Sequence, residues 1–173
     1  MCSTGRMLIT ADLRTWILIA SGSRRSRASI VWRCACLVSA CLSCIVIDAL
    51  QSREPFFKEA REIFLGAANK QFEGFLTAKS VTDICYLTHR CTHSDKETRQ
   101  ILNKLFCLSG LLDTAGMDCR KEVPFNLSDF EDAVMTESAI REEMDCIVTR
   151  NLGDYKKAAL PVYSPEEFLL NMK

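Results

Sequence analysis

Phe72-Glu73-Gly74-Phe75-Leu76-Thr77-Ala78-Lys79-Ser80-Val81-Thr82-Asp83-Ile84 is the stretch on which the reading of the fold turns. Its first six residues are short, aromatic and bounded by Lys70-Gln71 and Ala78-Lys79, which predicts a strand over 72–77. Ser80 to Arg90 then carries Val81, Ile84, Cys85, Leu87 and Thr88 at helical spacing, which predicts a helix with an apolar stripe and with Asp83 in its first turn. A strand that runs straight into an amphipathic helix, with an acid at the junction, is half of a β-α-β unit.

The same alternation continues on both sides. Upstream, Glu54-Pro55 opens a helix to about Asn69, with Pro in the first turn and Phe56, Phe57, Ala60, Ile63, Phe64, Ala67 and Ala68 apolar. Downstream, Ser94-x-x-Glu97 is a capping box for a helix over 94–108, and Gly110 to Thr114 reads as a strand. A short helix over 115–122 stops at Pro124. Ser128-Asp129-Phe130-Glu131 is a second capping box, launching a helix to about Glu143. Cys146 to Thr149 is a buried strand and Leu160 to Tyr163 a small one, and Ser164-Pro165-Glu166-Glu167 caps a last helix to about Met172. Strands alternating with helices predict an α/β fold of three layers, a central, mainly parallel sheet with helices on both faces.

Composition divides the chain. Its 173 residues carry 22 basic and 22 acidic side chains and suit one ordinary domain. Residues 1–44 hold six Arg, no Lys and a single acid, Asp12, a net +5, whereas the remainder sums to −5 and holds all nine Lys. Five of the ten Cys and seven Ser fall in the first 44 positions. We therefore expect an atypical Arg/Ser/Cys-rich extension over residues 1–36, disordered or derived from a shifted reading frame, and a folded domain over 37–173. The encoding DNA tests the frame hypothesis.

The uncharged run Cys34 to Ile47 is 14 residues long, short of the roughly 20 that a membrane span needs, so no membrane association is expected. Val38-Ser39-Ala40-Cys41 resembles a lipoprotein cleavage box, but the apolar run before it, Cys34 to Leu37, is shorter than such signals require. Cys34, Cys36, Cys41 and Cys44 could be imagined as zinc thiolates. No turn residues surround Cys34 and Cys36 to fold a knuckle, so small buried hydrophobes are the preferred reading. Cys85, His89 and His93 fall on one helical face, yet Cys91-Thr92-His93-Ser94 reads as the helix end, and ordinary surface histidines are preferred there too. The later cysteines sit singly inside elements, which fits reduced thiols and a cytoplasmic location.

In an open parallel sheet the chemistry lies beyond the carboxyl ends of the strands, and there this sequence places mostly carboxylates. Asp83 follows one strand, Asp129, Glu131 and Asp132 open the helix before another, and Asn151 and Asp154 follow that one. Converging carboxylates call for a hard cation, Mg²⁺ or Mn²⁺, able to activate water against a phosphodiester. The helix dipole and capping account for first-turn acids equally well on spacing alone.

Five segments in order carry a family resemblance. They are Ile45-Val46-Ile47-Asp48-Ala49-Leu50 with Arg53-Glu54-Pro55-Phe56, Ala78 to Ile84, Ser128 to Ala133, Cys146 to Asn151 with Asp154, and Val162 to Phe168. Over about residues 42–173 the chain resembles a bacterial PIN-domain protein of the VapC-like ribonuclease toxin kind. The resemblance implies a PIN-like fold and a Mg²⁺- or Mn²⁺-dependent endoribonuclease acting on RNA, with an antitoxin partner and a homodimer as further expectations. It assigns Asp83, Asp132 and Asp154 as catalytic and metal-binding residues, supported by Asp48, Asp129, Thr149 and Asn151. Lys79, Arg150, Lys156 and Lys157 would meet RNA phosphates as a local strip.

One departure from the family's pattern is serious. The family's first strand ends in Asp-Thr-Asn, and the alignment puts Leu42-Ser43-Cys44 there. Leu42 cannot bind a cation, and Asp48 lies one to two helical turns farther on. Asp12 would serve only if residues 13–44 looped out. Impaired catalysis is therefore expected, with a catalytically inactive binding domain as the alternative. The apolar run Cys36 to Ser43 is expected to fill the first strand's place.

Overall fold

The computed structural model describes residues 32–35, 42–123, 130–156 and 158–172. Five strands, β1 (Trp32–Ala35), β2 (Phe72–Thr77), β3 (Ser109–Leu112), β4 (Cys146–Val148) and β5 (Val162–Tyr163), form one sheet in the order β3-β2-β1-β4-β5. All four pairings are parallel. The described helices are α1 (Leu42–Gln51), α2 (Phe57–Ala68), α3 (Ala78–Thr92), α4 (Asp95–Leu108), α5 (Gly116–Glu122), α6 (Phe130–Arg141) and α7 (Pro165–Asn171).

Strand alternation separates two cores. Phe72 and Leu76 of β2, and Cys146 and Val148 of β4, join Ile45, Val46 and Leu50 of α1, Ile63 of α2, Ile84 of α3, Leu105 of α4 and Phe168 of α7 on one face. Ile147, one residue out of phase, joins Leu112, Met135, Ala139 and Tyr155 on the other, with Phe75 packed against them. A period of two along β2 and β4 thus feeds opposite faces, which is what a sheet covered on both sides requires. The expected three-layer α/β architecture is the observed one. Helix α2 sits close on β2 at Gly66, where an added Cβ would lie 2.7 Å from the Phe72 ring.

Local chemistry sets most boundaries. Ser94 caps α4 by accepting the Glu97 N–H, and Ser164 and Glu167 form a reciprocal capping box at α7 with Pro165 in the first turn. His93 ends α3 in the left-handed region at φ 51°, so the third of the Cys85/His89/His93 group leaves the helix.

Three expectations are corrected. The first strand is Trp32–Ala35, with Trp32 opposite Phe72 and Cys34 opposite Cys146, not the Cys36–Ser43 run. It precedes position 36, and Leu42 begins α1. Ile45, Val46 and Leu50 at helical spacing claim the residues from Leu42 on for a helix, which leaves the strand to an earlier segment. Helix α2 starts at Phe57, with Pro55 in the turn before it, joined to Glu54 by a cis peptide bond. Helix α3 starts at Ala78 because the Thr77 hydroxyl accepts the Ser80 N–H, so Asp83 stands in the second turn rather than the first. The Ser128 cap, Asp129, Asp12, Lys157 and the Val38–Cys41 box lie outside the described residues.

Candidate functional site

Parallel strands bring the end of β2 and the start of α6 together. Thr77, fully buried, shares a 2.7 Å hydrogen bond with Ser80 and lies 3.7 Å from the Met135 sulfur of α6. One turn farther out, the Lys79 ammonium reaches Asp83 Oδ2 at 2.5 Å and Glu131 Oε1 at 3.2 Å. The bond to Asp83 pushes the Lys79 pKa up, burial opposes it, and Glu131 adds to the rise. Acids from α3 and α6 therefore meet around one positive charge.

Asp132, the next residue of α6, is 2% exposed and accepts a 2.7 Å hydrogen bond at Oδ1 from the Tyr155 hydroxyl. Beyond β4, the buried Thr149 Oγ1 accepts the Asn151 N–H at 3.1 Å, and Asn151 Nδ2 donates to the exposed Asp154 carboxylate. Thr149 thus shapes the turn that carries Asn151 and Asp154.

Asp48 belongs to a different environment. It is 1% exposed and faces two guanidiniums, Arg150 at 2.8 Å and Arg53 at 3.9 Å. Burial raises its pKa above the ordinary aspartate value, against the pull of Arg150 and then Arg53. The Arg150 guanidinium lies over the Phe56 ring, 4.3 Å from its centroid.

The donors at the Lys79 cluster suit a divalent cation in kind. Asp83 and Glu131 are hard oxygen ligands, and they already hold a stand-in, the ammonium of Lys79. They do not suit it in number: among the described residues, no three His, Cys, Asp or Glu side chains are grouped to hold a metal ion. Asp83, Asp132 and Asp154 are not assembled into such a group, and Asp129 is outside the described residues.

From the sequence, Lys79 is a phosphate contact, Glu131 is both a capping residue and one of the converging carboxylates, and Tyr155 carries no signal. The spacing of Lys79 and Asp83, i and i+4 on a helix, was the available signal for their pairing. The Tyr155 link to Asp132, 23 residues away, has no local signal. Asp118 was missed as well. It is fully buried, and its carboxylate accepts from Ala115 N–H, Ser138 Oγ and Arg141 Nε at 2.8, 2.9 and 3.0 Å.

An all-parallel five-stranded sheet packed on both faces defines an α/β domain, with Asp83 and Glu131 flanking Lys79 beyond the end of β2. The family model for the PIN domain matches residues 43–153, and the chain belongs to that family. PIN domains are typically dependent on a divalent metal. Among solved structures, one chain of VapBC2 from Rickettsia felis, crystallised bound to a DNA fragment from their promoter, is similar in fold. The TM-score is 0.53 at 15% identity, covering 76% of this chain and 98% of that one. No curated protein sequence matches this one. Among the described residues, no helix is long and apolar enough to cross a membrane.

Proposed function

We propose that this chain is a toxin-type PIN endoribonuclease whose metal centre is impaired. The observation that supports this most is the Lys79 ammonium held between Asp83 of α3 and Glu131 of α6, at the end of the sheet where the family's chemistry lies. Asp83, Asp132 and Asp154 are the proposed ligands of an incomplete centre, since among the described residues they are not grouped to hold an ion. Mg²⁺ or Mn²⁺, when bound, would supply an activated water and charge stabilisation for phosphodiester hydrolysis. Tyr155 orients Asp132, Thr149 holds the turn of Asn151 and Asp154, and Lys79 offers a positive charge to an RNA phosphate. The impairment follows from Leu42, which replaces an oxygen ligand by a hydrocarbon. An antitoxin partner, a homodimer and a cytoplasmic location belong to the same proposal.

The test is metal titration with RNA cleavage measured in parallel, on this chain and on Leu42→Asp combined with Ser43→Thr and Cys44→Asn. Even an outer-shell partner of a ligand is worth about 10–100-fold in metal affinity. The restored variant is therefore expected to bind Mg²⁺ or Mn²⁺ more than about tenfold tighter and to cut RNA faster, with Asp132→Asn abolishing both. Lys79→Met, which removes the competing cation, is expected to tighten metal binding by about twofold to fivefold, the worth of a partly exposed ion pair. The second reading, a catalytically inactive PIN domain that acts by binding antitoxin, RNA or itself, is favoured by Leu42. It replaces the first if the restored variant binds metal and still cuts nothing.

A further inference from the structure

Between α1, α2 and the segment entering α7 lies a cavity of about 340 Å³, with Asp48 and Arg150 in its wall beside Phe56 and Pro165, and Glu59 and Glu166 also lining it. The nuclease reading gives Asp48 a supporting place and Arg150 a phosphate contact, but it assigns no ligand to the cavity itself. We propose that this cavity is a nucleobase pocket, which receives one unstacked base of a single-stranded RNA and selects bases that carry an exocyclic amino group.

Three observations carry the assignment. The first is shape and size: the volume lies at the lower end of the range for small-molecule sites, about 300–1,000 Å³, which suits one base with part of its sugar. The second is the platform. Arg150 is fixed by the buried Asp48 at 2.8 Å and laid over the Phe56 ring, so a planar cation and an aromatic ring stand preorganised at the wall, and Phe56 as a residue remains 45% exposed. Aromatic rings and guanidinium planes are the surfaces on which splayed-out RNA bases stack.

The third observation is the balance of polar groups. Among the described residues of the lining, Arg150 is the one cation and is already paired with Asp48, which leaves the acceptors Glu59 and Glu166, so an occupant should bring N–H donors and leave its phosphate outside. Adenine and cytosine carry an amino group where uracil carries a carbonyl oxygen, and guanine carries one at N2, whereas uracil has no exocyclic amino group and offers only its ring N3–H as a base donor. Position completes the case: Arg150 stands between Thr149 and Asn151, so the cavity adjoins the proposed nuclease centre along one short turn after β4.

This assignment rests on the RNA reading, and its test separates the two. Adenosine, cytidine, guanosine and uridine would be titrated into the ¹⁵N-labelled full chain, with the amide signals of Phe56, Arg150 and Glu166 as readout. Amino-bearing nucleosides are expected to move these signals at concentrations where uridine does not. Phe56→Leu should weaken that binding by about fivefold or more, the worth of one stacked base, and Phe56→Trp should restore it. The spectrum of each variant reports its fold directly.

Equal response to uridine, no response to any nucleoside, or indifference to Phe56→Leu overturns the pocket. So does displacement of these signals only by an antitoxin peptide, which would make the cavity a protein-docking site. If nucleosides leave the cavity unmoved while the Leu42→Asp, Ser43→Thr, Cys44→Asn variant cuts RNA, the pocket fails and the nuclease reading stands. If nucleosides bind and no variant cuts RNA, the pocket stands and the nuclease reading fails.

Discussion

Two aspartates, Asp118 on α5 and Asp48 on α1, are both removed from solvent and both face arginine, yet their carboxyl groups are displaced in opposite directions. For Asp118 burial raises the pKa, but Arg141, the Ala115 N–H and Ser138 together outweigh it and hold the group below the ordinary value. For Asp48 burial prevails over Arg150 and Arg53, and the group is raised. The difference is in the donors. Asp118 receives a backbone N–H, a hydroxyl and a guanidinium at hydrogen-bond distance, so its charge is solvated by the protein. Asp48 has one guanidinium at hydrogen-bond distance, Arg150 at 2.8 Å, and a second, Arg53, only at 3.9 Å, and it lines a cavity. A fully satisfied buried carboxylate fixes α5 against α6, whereas an incompletely solvated one is what a binding site would keep.

The largest effect expected from this contrast is at Asp118. Asp118→Ala removes one partner of a buried, hydrogen-bonded pair and should cost about 3–5 kcal/mol in urea unfolding at neutral pH. Asp118→Asn keeps the shape and part of the bonding and should cost about 1–3 kcal/mol. The pH dependence follows from the depressed folded-state pKa: the unfolded chain binds the proton more readily, so the stabilisation is present above 3.8 and is lost as pH falls through the lower, folded value. Asp118→Asn should therefore flatten the acid limb of the stability profile. An acid limb as steep as that of the unmodified chain would show that other carboxylates carry it.

Neither the Asp118 network nor the Asp48 pair could be read from the sequence, and the reason differs from why the elements could. Phe72–Thr77 was legible to the residue because an aromatic run between polar residues is a local pattern. Ser94 and Ser164 announced α4 and α7 because capping is decided within four residues. The first strand is Trp32–Ala35 rather than Cys36–Ser43: it includes Arg33, which lies outside the uncharged run, and its place is set by pairing with β2 and β4, which no local pattern announces. At the candidate site, the sequence indicated which ends of the sheet would carry acids. It did not show that Lys79 would stand between Asp83 and Glu131, because the contact between α3 and α6 joins residues 52 positions apart and has no local signal. Asp118 with Ser138 and Arg141 joins residues 20 and 23 apart, and Arg150 with Asp48 joins opposite ends of the domain.

The smallest expected effect is also the sharpest discriminator. Asp48→Asn deletes a charge that burial disfavours, so its change in stability at neutral pH should stay within about 1 kcal/mol of zero, against the much larger loss at Asp118. The sign is worked out as for Asp118 but reversed: with the folded-state pKa raised, the native chain binds the proton more readily, and the contribution of Asp48 to stability is full below 3.8 and declines as pH rises through the elevated value. Asp48→Asn should remove that decline, leaving the variant relatively more stable above this window than below it. A loss at neutral pH as large as that of Asp118→Ala would mean that Asp48 is a structural anchor like Asp118. Arg150 would then be held for the sake of the fold, and the platform it forms with Phe56 would be a by-product of packing rather than a surface kept for a ligand.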